Sequence, residues 1–343
     1  MTNSPENKLP IETHNPLFGK YLYPEAKELM EKQQDITWAA QEIPVEGDKQ
    51  DYIVKMSPSQ HNLAVTTLQS FVEVEQQVGD VWETFASWFP HSEIQGACME
   101  IARMEKSVHA FFYQKMSDVL NIDPEDTAEQ QQTIKAIKNK LTLLKDITSN
   151  LADNKLLSLF TVAAIEQSLL FGNFAMLKSF KANGNNLIKK TLTGVDYVIQ
   201  DEQLHGVFAS FLHNQYLKEL TEAKIPFDLE LHITNCRQVI ESIVEHEDAV
   251  INYVFQNDKY INDISAEDLK IFIRSRANLV LSDMNQPLLY EETVKNPISE
   301  WFYQGIKSIK VHDFFSANTT QYRRNWKFDN FSLFQGGTDA TNE

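Results

Sequence analysis

Apolar residues recur at three- and four-residue intervals through most of the chain, while strict polar/apolar alternation is scarce. This pattern predicts an all-α fold. Ser57-Pro58-Ser59-Gln60 supplies a cap, a proline at the first helical position and a capping-box Gln, and so opens a long helix running through Glu75. Ser92-Glu93-Ile94-Gln95 repeats the box and opens a helix carrying Glu105, His109 and Tyr113. Asp123-Pro124 marks the next boundary. Further helical patterns begin near Pro124, Asn154, Asn186, Asp228 and Ser265, with breaks such as Asn183-Gly184-Asn185-Asn186 between them. Residues before about Met56 are rich in polar residues and turn formers. The last stretch, from Phe314-Phe315 through Tyr322, Trp326, Phe331 and Phe334, has no core-facing period and reads as disorder dotted with aromatic anchors.

Placed on these helices, four segments carry candidate chemistry. Glu105 and His109 are four apart and Glu202 and His205 three apart, so each pair lies on one helix face and can aim an oxygen and a nitrogen at a common point. A lone carboxylate precedes each pair, Glu75 before the first and Glu166 before the second. Glu73 would point to nearly the opposite face from Glu75 and is the weaker candidate. An isolated Glu/His pair at helical spacing is ordinarily a solvated face. The ordered repeat, lone carboxylate then pair, instead suggests two similar helix hairpins facing each other across a dinuclear metal site, the ferritin-like arrangement. Glu166 strengthens it, because it sits in the almost wholly apolar run Thr161 to Leu177. Burying an unpaired carboxylate costs roughly several kcal/mol, for which a metal compensates; a protonated Glu or an Arg partner is the alternative. Mixed carboxylate and imidazole ligands suit iron or manganese, and the absence of thiolates argues against structural zinc.

These motifs resemble the small, radical-generating R2 or beta subunit of class I ribonucleotide reductase, over most of the chain. Glu105 to Tyr113 is similar to that family's first signature, with a Tyr four positions after the His, and Asp201-Glu202-Gln203-Leu204-His205 is similar to its second. Glu166 with Phe174, Asn296-Pro297-Ile298 and the Phe-rich tail also match. There are departures. Three residues separate Glu105 from His109 where two are more frequent, so an ungapped register would put Lys106 on the ligand position, as in a lysine-bearing, metal-free variant. The spacing still keeps Glu105 and His109 on one face, and a local π-bulge would absorb the extra residue. Glu75 stands where many relatives carry Asp, and Leu170 where many have Phe.

The resemblance implies a ferritin-like helical bundle with extra helices and a flexible C-terminal tail: an N-terminal arm over 1–55, the metal-binding domain over 56–310, and a tail over 311–343 that binds the large subunit. It implies metal ligands Glu75, Glu105, His109, Glu166, Glu202 and His205 holding two iron ions, with two manganese ions or a manganese/iron pair as alternatives. An oxygen-derived oxidant formed there would generate a tyrosyl radical at Tyr113, caged by Leu170, Phe174 and Val198. The radical would pass through His109, Asp201 and Trp38, and across the interface by Tyr322, to a large catalytic subunit that reduces ribonucleotides. A homodimer and an activating flavoprotein are further partners that the family suggests. A ferritin-like oxidase or oxygenase using the same ligands is the alternative function.

Composition narrows the setting. Cys98 and Cys236 cannot form a disulfide framework and read as core thiols in a reducing compartment. A formal charge of −17 disfavours direct nucleic-acid binding through a basic surface. Residues 1–6 lack signal-peptide features and no apolar run looks long enough to span a membrane, so the expectation is a cytoplasmic protein without a membrane partner. His232, His246, Glu245 and Glu247 lie in a charged helical stretch and are expected on a solvated face; His61 and His91 sit near helix starts.

Overall fold

A computed structural model of the chain describes residues 8–15, 20–122, 134–149, 154–291 and 296–303. Among the described residues there is no strand, only an isolated bridge between Ile261 and Ile264. Helix α1 spans Pro24–Asp35 and α2 Pro58–Trp88. Helix α3, Ser92–Met104, runs through a π-turn, Glu105–His109, into α4, Ala110–Leu120. Helix α5 covers Lys135–Ser149. Helix α6, Lys155–Ala164, continues through a second π-turn, Ile165–Leu169, into α7, Phe171–Lys178. Helices α8, Lys189–Glu222, α9, Leu229–Val254, and α10, Ala266–Asp283, complete the set, followed by a helical segment over residues 297–303.

Four long elements form the centre: α2 packs on α3 and α4, α6 packs on α8, and α7 joins the two halves by packing on α2. Helix α1 covers α3 on one side, while α9 and α10 cover α6 and α7 on another. This is the ferritin-like bundle with added helices. Its hinge points follow local chemistry. Ser57 Oγ accepts the Gln60 amide while Gln60 returns the bond to the Ser57 amide at 2.8 Å, and Ser265 with Asp268 closes a second box. Asn154 and Asp228 cap α6 and α9 through their side chains.

Helix α1, Pro24–Asp35, lies in the segment read as polar and rich in turn formers and is not among the expected helices, and two of the expected starts differ in detail. Helix α3 begins at Ser92 with His91 as its cap, so no capping box forms; Ser92 instead bonds Glu93, and Gln95 reaches the Ala86 carbonyl. Helix α8 begins at Lys189, after Ile188 in a left-handed conformation, φ 44°. Its exposed amides are satisfied from far away: Asp51 accepts the Ile188 N–H at 2.8 Å and Asp48 the Thr191 N–H at 2.6 Å, placing two carboxylates at the positive end of the helix. The start expected at Pro124 lies outside the described residues.

Burial corrects two further expectations. His232 and Glu247 are buried, because α9 carries an inward stripe at His232, Cys236, Ile240, Ile243, Glu247 and Val250 whose polar members conceal its period; Glu245 is exposed and His246 half-buried, as a solvated face requires. His91 is also buried, its Nε2 2.9 Å from the Pro10 carbonyl. The run Lys155–Lys178 is, by length and composition, apolar enough to cross a membrane, contrary to the sequence reading. Almost all of its most apolar stretch is buried inside the bundle, as a core element. Both cysteines are buried and unpaired.

A lysine–carboxylate ion pair sits inside the core. Lys178 Nζ meets Asp196 Oδ1 at 2.5 Å, both side chains almost wholly shielded, and burial pushes the Lys178 ammonium below its ordinary pKa despite Asp196. Asp196→Ala leaves that cation without its partner and should destabilise the protein by ~3–5 kcal/mol in chemical denaturation, whereas the double change Lys178→Met/Asp196→Leu should recover most of the loss. A single-variant cost below 1 kcal/mol would show that the pair is dispensable.

Candidate metal centre

Glu75 on α2, Glu105 and His109 on the first π-turn, Glu166 on the second, and Glu202 and His205 on α8 all converge in the middle of the bundle, each fully buried. Their ligand atoms form two overlapping sets. Glu75, Glu105, His109 and Glu202 lie within 4.8 Å of one another, as do Glu105, Glu166, Glu202 and His205. Glu105 and Glu202 belong to both sets. Two cations side by side would therefore each have one private carboxylate and one imidazole, and would share two carboxylates.

The π-turn decides which residue of the pair Glu105/Lys106 faces inward. Its wider winding accommodates three residues between Glu105 and His109, and carries Lys106 outward, where Nζ bonds Asp80 at 2.6 Å and Glu83 at 2.7 Å. Glu105 points to the centre, with its oxygens 3.2 Å from His109 Nδ1 and 2.7 Å from His205 Nδ1. Glu73's side chain lies outside the described residues.

The chemistry of this donor set fits divalent cations. Both Glu75 oxygens, both Glu202 oxygens, Glu166 Oε2, Glu105 Oε1 and His205 Nδ1 are buried without a hydrogen bond of ordinary geometry, although buried polar atoms are normally satisfied. Burial, then Glu105 and Glu202, push Glu75 well above the ordinary carboxylate range; burial and Glu202 do the same to Glu166. For Glu105 burial acts upward too, yet His109, Glu75 and His205 hold it well below that range. Burial opposes the charging of both imidazoles, but Glu105, Asp201 and Glu202 raise His109 well above its ordinary value, and Glu105 and Glu202 bring His205 to about 9. Without a cation the cluster can settle its charge only by keeping protons that a metal would displace.

Around the ligands lies a second layer. Asp201 Oδ2 receives the Trp38 indole N–H at 2.8 Å and lies 3.0 Å from His109 Nε2, forming an unbroken Trp38–Asp201–His109 chain. Gln33 adds to it, donating to Asp201 Oδ1 at 2.9 Å while its oxygen is 3.2 Å from His205 Nε2. This fixes both imidazoles by their outer nitrogens, leaving Nδ1 for a cation. The Trp82 indole donates to Glu166 Oε1 at 2.6 Å. Tyr113 is fully buried, and burial, then Glu75, Glu202 and Glu105, push its phenol well above the ordinary range. Phe71 stacks on its ring at 4.7 Å and 7°, and Phe174 lies against Phe71. Leu170 and Val198 are buried.

The sequence reading missed Gln33, Phe71 and Trp82. Phe71 and Trp82 stand four residues before and seven after Glu75, the spacing of one helix face, and could have been found by extending that face. Gln33 had no such signal. Tyr322, Phe331 and Phe334 lie outside the described residues.

A family model described as "Ribonucleotide reductase, small chain" matches residues 18–297. The ribonucleoside-diphosphate reductase subunit beta of Bacillus phage SPbeta is 27% identical over 235 residues, covering 65% of this chain; the chain spans about two thirds, 66%, of that relative's length. The small chain of African swine fever virus (isolate Tick/South Africa/Pretoriuskop Pr4/1996) is 23% identical over 323 residues, 91% of this chain and 92% of the relative. Among solved structures, the dimanganese(II)-NrdF of Streptococcus sanguinis superposes with a TM-score of 0.70 at 19% identity, over 86% of this chain and 99% of the other.

Crowding the acidic groups sets a testable cost. A carboxyl with a raised folded pKa stabilises the fold below its unfolded pKa, near 4.5, and that contribution is lost as pH rises through the folded value. Metal-free Glu75→Gln should therefore be more stable to urea than the metal-free wild type, by about 1–3 kcal/mol at neutral pH and by less near pH 4. Equal stability of the two metal-free proteins at neutral pH would refute the crowding argument.

Proposed function

Because the chain belongs to the ribonucleotide reductase small-chain family, we propose that it is the radical-generating small subunit of a class I enzyme. It would work with a large catalytic subunit that reduces ribonucleotides, diphosphates in the relatives whose names specify them, and would form a homodimer. The observation that carries this reading is the pairing of two overlapping ligand sets with the Trp38–Asp201–His109 chain leading away from them. An oxidase acting on a small substrate in place would have no use for that chain.

In this reading Glu75, Glu105, His109, Glu166, Glu202 and His205 hold two metal ions, iron or manganese or one of each. When bound, that pair supplies the one-electron oxidant, generated with an oxygen-derived co-reactant. Tyr113 is the residue oxidised. Burial and three neighbouring carboxylates make its phenolate costly, so electron and proton would leave the ring together, the electron to that oxidant and the proton to the carboxylate cluster beside the phenol, where Glu75 faces it, and a neutral radical remains. Phe71 on its face, with Phe174, Leu170 and Val198 in the surrounding core, excludes water and reductants from that radical.

Radical transfer runs outward through the hydrogen-bonded chain. Asp201 accepts the indole proton bond of Trp38 and so orients the ring; loss of an electron from Trp38 acidifies that N–H, and the carboxylate is positioned to take the proton. From there the proposed path crosses to the large subunit by Tyr322. Residues 1–55 form the arm that carries Trp38, 56–310 the metal-binding domain, and 311–343 the tail that docks on the large subunit through aromatic anchors such as Phe331 and Phe334. The cytoplasm is the proposed compartment.

Tyr113→Phe should bind two metals per chain as the wild type does, yet give no tyrosyl signal in electron paramagnetic resonance and only background turnover with the large subunit. An unchanged radical signal would remove Tyr113 from the mechanism.

Truncation after Tyr322 should leave metal content and radical intact and weaken large-subunit binding more than tenfold, the scale of a lost aromatic hot spot of about 2 kcal/mol. Equal affinity of truncated and full-length chains would sink the anchoring role of the tail.

A further inference from the structure

The second π-turn, Ile165–Leu169, presents Glu166, and it is held from outside the four ligand helices. Widening a helix from an i+4 to an i+5 ladder takes carbonyls out of their regular bonding geometry, so a π-turn in a core needs partners from elsewhere. Arg276 on α10 supplies one. Its Nε donates to the Gln167 carbonyl, one residue beyond Glu166, at 2.7 Å. The guanidinium is buried, lies 3.7 Å from the centre of the Phe171 ring, and donates through Nη1 to the Tyr303 hydroxyl at 3.0 Å. Three contacts thus fix the orientation of a planar fork that has little freedom left.

The opposite side of the same turn is fixed as well. Gln167 Nε2 donates to Ser210 Oγ on α8 at 3.1 Å, and Ser210 donates in turn to the Gly206 carbonyl. Gly206 lets the two elements come this close, since a Cβ there would stand 2.1 Å from Gln167 Cγ. Gln167 is therefore clamped by its carbonyl to α10 and by its side chain to the helix that carries Glu202 and His205. Glu166 itself accepts the Trp82 indole at Oε1 and faces the Glu202 carboxyl, while Oε2 has no hydrogen bond of ordinary geometry. Its carboxylate can move only as far as the turn beneath it allows.

We propose that Arg276 is a positioning residue for Glu166, acting through the Gln167 carbonyl, and that Tyr303 holds Arg276 in register. The proposal rests on the metal-centre reading above. Since Glu166 belongs to only one of the two ligand sets, the one with His205, loosening the clamp has a selective consequence. One metal position weakens and the other does not. A loss of general stability would weaken both.

The test compares the full-length wild type with Arg276→Gln, Tyr303→Phe and, as a control on the same helix, Arg274→Gln, whose partner is Asp248 on α9. Manganese(II) titration should give two ions per wild-type chain. In Arg276→Gln one ion should bind as in the wild type and the other at least about tenfold more weakly, as is usual when a residue supporting a ligand is lost. The manganese resonance spectrum should shift from that of a coupled pair toward that of a single ion. In metal-free protein, amide hydrogen exchange across 165–171 should speed up in Arg276→Gln and stay at the wild-type rate in Arg274→Gln. Tyr303→Phe should show the same changes at smaller size, and decides the matter if Arg276→Gln does not fold. Wild-type exchange and two wild-type manganese affinities in the folded variants would overturn the proposal. A wild-type chain that takes up neither manganese(II) nor, under anaerobic conditions, iron(II) would instead overturn the metal-centre reading, and the exchange rates would still decide whether the clamp exists.

Discussion

Four carboxylates and two imidazoles share one fully buried space in the middle of this bundle, and most of the architecture is explained by what that arrangement requires. An uncompensated buried charge costs several kcal/mol, and a domain has only about 5–15 kcal/mol of net stability in total. The remainder of the fold must therefore be well stabilised by other means. Helices α2 and α8 run 31 and 34 residues and are long enough to pack far above and below the site. The run from Lys155 to Lys178 is almost entirely apolar around its single carboxylate, and α9 and α10 form an outer layer that keeps this run out of water.

The same constraint accounts for the two irregular turns that present Glu105, His109 and Glu166. In a regular helix the added residue between Glu105 and His109 would leave Glu105 and Lys106 flanking the His109 direction on the same face. The π-turn absorbs that residue locally, so Lys106 leaves for Asp80 and Glu83 while Glu105 stays inside. Helical ligand geometry is thus adjusted by changing the winding at the ligand itself. The neighbouring turns remain regular and keep their core packing. The second π-turn, at Glu166, has a different difficulty: it lies in an apolar segment with few polar groups of its own, and its support comes from Arg276 and Ser210 on other helices.

Sequence periodicity was enough for the all-α class, for most helix starts and for which carboxylates and imidazoles could meet. It worked because helix faces are set locally, by spacing and caps such as Ser57, Asp228 and Ser265. It failed wherever a partner was distant. Asp51 and Asp48 cap α8 from 137 and 143 residues away, and no local signal announces them. His232 and Glu247 looked solvated because polar residues occupied a buried stripe, where identity hid the period. Phe71 and Trp82 could have been reached by following the face of Glu75, whereas Gln33 and Arg276 make contacts that only the folded chain creates.

These distant contacts are concentrated in the N-terminal segment, the part of the described chain with the weakest periodicity. Tyr23 and the Ile11 amide bind Glu219 near the end of α8, Asp48 and Asp51 hold its beginning, and Gln33 and Trp38 reach its middle at Asp201. One helix is thus secured at three levels by a segment that shows little regular pattern of its own. The middle level is also where the hydrogen-bonded chain leaves the centre. If Trp38 carries the radical outward as proposed, the segment has two duties, fixing α8 and orienting the indole, and each demands specific polar contacts in place of an apolar stripe. That is a physical reason for this region to be hard to read from periodicity and yet closely fitted to the site.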